Sequence, residues 1–199
     1  MNQINVENHH VEIELKFSIK NLSHLDFWKK LEQLWFTNKW KKYEKTSMYD
    51  NRDFLMQKTN GRIRLRISWE KYELSYKKPI VDDSWIKKEI EYNCDIANPD
   101  TLSKILNTMD YYEVSSYERY RTTYMDSWEL IQVTIDEFPF DIFLEIEWDE
   151  QRIIQLANDL WFSIKDNLTK PCDTLFNDRR KSQWLAEKMI MRFDDYDQP

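Results

Sequence analysis

The strands of this chain repeat a pattern that few folds can absorb. In "VEIELKF", Val11, Ile13, Leu15 and Phe17 alternate with Glu12, Glu14 and Lys16. Such period-two alternation reads as a β-strand with one dry and one polar face. "RIRLRIS" sets Arg62, Arg64 and Arg66 against Ile63, Leu65 and Ile67, and "YELSYKKP" sets Glu73, Ser75 and Lys77 against Leu74 and Tyr76. Only "WEK" separates these two runs, so they are expected to form a hairpin. "IKKEIEYN", "YERYRTTY", "WELIQVTIDEF" and "FDIFLEIEWD" read as further strands. The tripeptide "EIE" stands at Glu12–Glu14, Glu89–Glu91 and Glu145–Glu147. Basic pairs answer it: Arg64 with Arg66, Arg119 with Arg121, and Lys16 with Lys77 from separate strands.

Two residues along a strand span about 7 Å, so these pairs crowd like charges on one face. Taken singly, each strand fits an ordinary antiparallel sheet, polar face out. On bare solvent, however, Arg62-Arg64-Arg66 repels itself for no gain. Around a closed sheet the same groups neutralise one another and a bound ion, so a barrel charged inside and packed by helices outside explains both faces. Salt-bridge ladders on an open sheet give similar spacing, and periodicity alone does not choose between the two. If the groups share a cavity, arginine forks and lysines suit phosphate oxygens. Clustered carboxylates suit hard cations such as Mg²⁺ or Mn²⁺. Together they point to a metal complex of a polyphosphate.

Helical spacing appears between the strands. In "NLSHLDFWKKLEQLW", Leu25, Trp28, Leu31 and Trp35 fall on one face, with Ser23 as the expected N-cap. "MYDNRDFLMQKTNG" reads as a loop, and "NPDTLSKILNTM" as a helix capped by Asp100. "DEQRIIQLANDLWFSI" predicts a third helix. "DTLFNDRRKSQWLAEKMIMRF" predicts a fourth, followed by the acidic "DDYDQP". No linker or low-complexity block divides the chain, which reads as one α+β domain.

Composition removes whole classes of chemistry. With one glycine, Gly61, the chain has no dinucleotide loop, Walker A loop or G-x-S-x-G elbow. Its three histidines, His9, His10 and His24, argue against a Ser-His-Asp triad or a histidine zinc site. Cys94 and Cys172 form no C-x-x-C and read as free thiols. A net charge of -7 gives no support to non-specific nucleic-acid binding. No apolar run is long enough to cross a bilayer, and "MNQINVENHH" lacks the regions of a signal peptide. A cytoplasmic protein is expected, as a monomer or homodimer.

The motifs resemble those of the CYTH family, named for class IV adenylyl cyclases and thiamine triphosphatases, whose members form triphosphate tunnel enzymes. The E-x-E-x-K signature is similar to Glu12-Ile13-Glu14-Leu15-Lys16. "MYDNRDFLMQKTNGRIRLRI" resembles Y-F-D-T-x-D…L…G…L-R-I-R, and "LSYKKP" resembles L-T-x-K-G-P, with Lys77 on the family lysine. "KKEIE" matches R-x-E-x-E with Lys87, Glu89 and Glu91, and "ERYRTTY" matches K-x-R-x-x-Y with Arg119 and Arg121. "IDEFPFDIFLEIE" resembles D-x-x-P…D-F-x-E-I-E, giving Asp136, Glu145 and Glu147. The chain departs at Lys78, in place of the glycine of K-G-P, and in the loop before "FDIFLEIE", which lacks the usual glycines. Pro171-Cys172 stands for the late Ser-Tyr, after Lys170 on the basic position.

The resemblance implies an α+β fold: a closed antiparallel β-barrel, the triphosphate tunnel, flanked by helices. It implies a tunnel domain over 9–178, with 179–199 as a C-terminal helix and acidic tail packed on it. The implied activity is metal-dependent hydrolysis of a linear triphosphate: inorganic tripolyphosphate first, then thiamine or nucleoside triphosphate. Lys16, Arg62, Arg64, Arg66, Lys77, Lys87, Arg119, Arg121 and Lys170 would bind phosphate. Glu12, Glu14, Asp136, Glu145 and Glu147 would hold Mg²⁺ or Mn²⁺. Lys77 and Arg121 are the expected catalytic cations, with Glu89 and Glu91 orienting the basic residues or contacting metal and water. The alternatives are a class IV adenylyl cyclase making cyclic AMP and pyrophosphate from ATP, and a non-catalytic polyphosphate binder.

Overall fold

A computed structural model describes residues 10–22, 24–69 and 71–194. The expected Ser23 cap and most of the acidic tail lie outside the described residues. The strands are β1 (His10–Ser18), β2 (Thr37–Asn51), β3 (Arg62–Ser68), β4 (Lys71–Pro79), β5 (Lys87–Ile96), β6 (Tyr111–Met125), β7 (Gln132–Glu137), β8 (Ile142–Glu147) and β9 (Ile190–Met191). They order as β2-β3-β4-β5-β1-β8-β7-β6-β9, and pairing of β2 with β6 closes the first eight into a barrel. Every contact within the barrel is antiparallel; β9 lies parallel to β6. The expected hairpin is present, with Arg62 opposite Lys77 and Ser68 opposite Lys71.

The apolar core lies outside the barrel, as the alternation requires. Leu15, Phe17, Val133, Ile135, Leu144 and Ile146 turn outward and pack under Phe27 and Leu31 of α1 (His24–Gln33) and Ile153, Leu156 and Ala157 of α4 (Glu150–Asp159). Strand and helix thus share one dry layer, which leaves the other face of each strand to line the interior. That lining ends in aromatic packing. Phe143, one step along the inward row from Glu145, clusters with Phe138, Phe140 and Phe176, the last from α5 (Cys172–Ser182).

Several local expectations give way to the structure. α3 (Pro99–Thr108) is capped by Asn98, whose side chain accepts from the Thr101 N–H, rather than by Asp100. Trp35 is not on the buried face of α1; it follows the helix with φ 65° and is 79% exposed, while Phe36 turns into the core. The expected loop at 48–61 contains the end of β2 and the short helix α2 (Leu55–Thr59). α5 stops at Ser182 rather than continuing through residue 193. Phe176 is the residue it buries, and its last turn is Arg179-Arg180-Lys181, so no apolar face drives it further. A boundary at 178/179 would cut α5; the helix runs through it. No helix among the described residues is long and apolar enough to cross a membrane.

Candidate active site

The three glutamate strands are neighbours. β1 lies between β5 and β8, with Glu12 opposite Glu89, Glu14 opposite both Lys87 and Glu147, and Lys16 opposite Glu145. The arginine strands β3 and β6 flank β2 on another arc of the barrel. Register and pleat therefore build an acidic wall and a basic wall around one cavity of about 490 Å³. Its lining includes Glu12, Glu14, Lys16, Arg62, Arg64, Arg66, Lys77, Lys87, Glu89, Glu91, Arg119, Arg121, Glu145 and Glu147. The open sheet with a solvated polar face is thereby excluded.

Three carboxylates converge on the acidic wall. Glu12, Glu14 and Glu147 each place an oxygen within 4.8 Å of the others. Their charges differ sharply. Burial disfavours the Glu14 carboxylate, but Lys87 at 2.8 Å and Lys16 at 3.3 Å hold its pKa down at about 2. Glu147 is pushed up to about 8, by burial first and then by the negative charge of Glu12. The Gln132 amide donates to it at 2.9 Å. Like charges crowded together raise such a pKa, and a cation beside them would lower it. Three hard oxygen donors fit Mg²⁺ or Mn²⁺ rather than a thiolate-seeking metal.

The other two expected metal ligands are placed differently. Asp136 is fully buried behind the cavity wall. Arg121 grips both its oxygens at 2.6 Å, and Arg119 donates to it at 2.7 Å. Glu145 lines the cavity between Lys16 at 3.1 Å and Arg121 at 2.5 Å. Burial opposes its charge, and these cations still hold its pKa well below the usual carboxylate range. Asp136 and Glu145 pair with basic groups, Glu12 and Glu14 pair with lysines, and Glu12, Glu14 and Glu147 are the carboxylates whose oxygens converge.

The basic wall contains a local excess of positive charge. Arg66 is lowered to about 10, by burial and then by the charges of Arg64 and Arg119. Its nearest carboxylates, Glu44 and Glu73, stand 3.6 Å away, and its buried Nε makes no hydrogen bond. An anion beside Arg64, Arg66 and Arg119 would relieve that crowding. Glu89 pairs with Arg62 and Lys87, and Glu91 with Lys77 at 3.1 Å and Arg64 at 3.3 Å. Both sit among the cations, an arrangement that fits orientation of basic side chains. Lys77 also reaches Glu12 at 2.5 Å and so joins the acidic cluster to the basic one.

Lys170 is a correction. It was expected to bind phosphate, but it does not line the tunnel; it lines a neighbouring chamber and pairs with Asp178 of α5 at 2.6 Å. Its neighbours Pro171 and Cys172 take the place at the cavity wall. Burial pushes the Cys172 thiol up to about 12, so it is no nucleophile at neutral pH. Sequence reasoning missed Glu44, which bridges Arg119 at 2.6 Å and Arg66, and passed over Glu73. The signal for Glu44 was the period-two row Trp40, Lys42, Glu44 and Met48 of β2, all of which line the cavity.

This fold and charge pattern define a tunnel-type barrel with an acidic and a basic wall. Residues 10–167 match the family model for the CYTH domain, and the chain belongs to the CYTH family. No protein of curated function matches its sequence. Among solved structures it is similar to a candidate adenylate cyclase from Vibrio parahaemolyticus, with TM-score 0.71 and 19% identity over 85% of this chain and 99% of that one. It is also similar to PH1819 of Pyrococcus horikoshii, with TM-score 0.64 and 21% identity over 85% and 99%. A candidate adenylyl cyclase from Hippeastrum, described as having a dominant triphosphatase activity, matches with TM-score 0.58 and 14% identity over 85% and 96%. At these identities the likeness shows the fold.

Proposed function

We propose that this protein is a divalent-metal-dependent hydrolase of linear triphosphates. The observation that carries the reading is the juxtaposition, in one cavity, of the Glu12–Glu14–Glu147 cluster with the crowded Arg64–Arg66–Arg119 group, in which Arg66 lacks a close carboxylate. A pure phosphate binder has no use for the first, and a pure cation site none for the second. Glu12, Glu14 and Glu147 would hold Mg²⁺ or Mn²⁺, which supplies charge neutralisation at phosphate oxygens and activation of water. Arg64, Arg66 and Arg119 hold phosphate oxygens through fixed forks. Lys77, between the two walls, stabilises the charge that moves onto the leaving phosphate. Arg121, locked by Asp136 and Glu145, keeps the basic wall in place.

A second chamber of about 890 Å³ adjoins the tunnel and shares Met48, Arg62, Lys87, Glu89, Pro171 and Asp173 with it. Phe54, Met56, Ile80, Val81, Val114 and Met189 give it apolar walls. Inorganic tripolyphosphate has nothing to place there, so the chamber favours a triphosphate ester carrying an organic group over the inorganic ion. Adenylyl cyclase remains the second reading, because the chamber adjoining Arg62 and Lys87 also has room for a nucleoside.

The test is a substrate panel of tripolyphosphate, ATP and thiamine triphosphate with Mg²⁺ and with Mn²⁺. Orthophosphate, pyrophosphate and cyclic nucleotide are separated as products. Orthophosphate release, with an organic triphosphate preferred, supports the proposal. Cyclic AMP with pyrophosphate moves the activity to the cyclase, and binding without turnover reduces the protein to a binder.

A further inference from the structure

Three helices end in the same way. After α1, the Trp35 N–H donates to the Glu32 carbonyl at 3.0 Å and the Phe36 N–H to Leu31 at 3.0 Å. After α4, Trp161 donates to Asn158 at 3.0 Å and Phe162 to Ala157 at 2.8 Å. After α5, Trp184 donates to Lys181 at 3.0 Å and Leu185 to Arg180 at 2.9 Å. This pair of bonds is the Schellman motif. It requires left-handed backbone at the residue just past the cap, a position glycine usually fills because it has no Cβ to clash. The three tryptophans there have φ of 65°, 65° and 61°.

A fourth tryptophan meets the same demand. Trp69, with φ 50°, is the first residue of the two-residue link between β3 and β4. That position of a tight hairpin calls for positive φ and selects glycine, asparagine or aspartate. Phe54 at φ 56° and Glu129 at φ 54° are further residues in this region, whereas the ends of α3 and α2 obey the rule. α3 is followed by Asp110 at φ 66° and α2 by Asn60 at φ 55°, residue types that tolerate this conformation. A bulky side chain there is a genuine outlier.

Among the described residues, the four side chains lie mostly in solvent. Trp35, Trp69, Trp161 and Trp184 are 79%, 69%, 72% and 97% exposed. Among the described residues, Trp161 alone of the four has a ring contact, with Lys30 at 5.0 Å from its centroid. Composition points the same way. The chain has one glycine and nine tryptophans in 199 residues, whereas average glycine usage of about 7% gives roughly fourteen.

We infer that positions 35, 69, 161 and 184 are glycine sites, and that the organism making this protein places glycine there. The codon UGA is read as tryptophan in some genetic codes and as glycine in others. One reassigned codon therefore exchanges the two residues throughout a chain. The exposed indoles at these turns are then no docking surface, and the turns themselves lose their strain.

Two measurements test this. Tandem mass spectrometry of the protein isolated from its own host should find glycine in the peptides spanning the four positions; tryptophan there overturns the coding inference. In the recombinant chain, Trp35→Gly, Trp69→Gly, Trp161→Gly and Trp184→Gly should each raise the melting temperature, on the order of 2–4 °C apiece. Trp28→Gly should lower it, since Trp28 lies inside α1 and packs on Tyr124 with ring centroids 4.8 Å apart. Four substitutions that leave the melting temperature unchanged or lower overturn the assignment of these positions as glycine sites.

Discussion

Arg121 holds Asp136 by two parallel hydrogen bonds, Nε to Oδ1 and Nη2 to Oδ2, each 2.6 Å long. Asp136 is completely buried, and Arg119 shares it. Removing one member of such a buried group leaves the other charges uncompensated and costs about 3–5 kcal/mol. Asp136→Ala is therefore expected to destabilise the fold by that amount in urea denaturation. Glu147→Gln, which removes a carboxylate from a crowded acidic cluster, should leave stability unchanged or improve it. Equal losses in the two variants would contradict the division of roles between these acids.

Metal affinity should depend on pH through Glu147. Its pKa is raised from 4.5 to about 8, so the folded chain holds a proton there across that window and the unfolded chain does not. Without metal, its contribution to stability falls as pH rises from 4.5 to about 8. The metal needs the ionised carboxylate, so its affinity rises over the same window, by at most about tenfold per pH unit, and then levels off. Titration calorimetry with Mn²⁺ between about pH 6 and pH 8 reads this directly. Glu147→Gln should weaken binding and flatten the profile; an unchanged slope in that variant would assign the proton elsewhere.

Arg66 should trade stability for binding. Burial and its neighbours Arg64 and Arg119 disfavour its charge, so Arg66→Gln is expected to raise the melting temperature of the free protein. The same change removes a charged hydrogen-bonding group worth about 1.5–3 kcal/mol to a bound phosphate. Triphosphate binding should weaken by roughly 10- to 100-fold. A variant that is both less stable and unaffected in binding would show that Arg66 is structural.

Lys77 and Lys170 separate the tunnel from the chamber beside it. Lys77 joins Glu12 and Glu91 inside the cavity, and donors of this kind to developing charge are worth about 3–4 kcal/mol. Lys77→Ala should lower kcat by a factor on the order of 10²–10³. Lys170→Ala should leave kcat as it is, because Lys170 lines the adjoining chamber rather than the tunnel and pairs with Asp178. Steady-state kinetics on the best substrate decides both.

Most of the barrel was legible because both faces of its strands are constrained. Leu15 and Phe17 must bury under helices, and Glu14 and Lys16 must find opposite charge. β2 was not legible, since its outward face, Lys41, Tyr43, Lys45 and Ser47, carries no apolar signal; Glu44 was lost with it. The carboxylates also looked equivalent in the sequence. Cross-strand register, which places Arg121 opposite Asp136 and Glu14 opposite Glu147, decides which are locked by arginine and which crowd one another. Lys170 was misplaced because nothing in its neighbourhood announced the pairing with Asp178, more than one helix turn into α5.

The central claim is that the acidic cluster and the basic wall act together through a divalent ion. Its most direct test is phosphate release from the preferred triphosphate by the wild-type protein, with Mg²⁺ or Mn²⁺ and then in excess chelator. Turnover should vanish in chelator and return when metal is restored, and Glu12→Gln should not recover it. Undiminished hydrolysis in chelator would contradict the account.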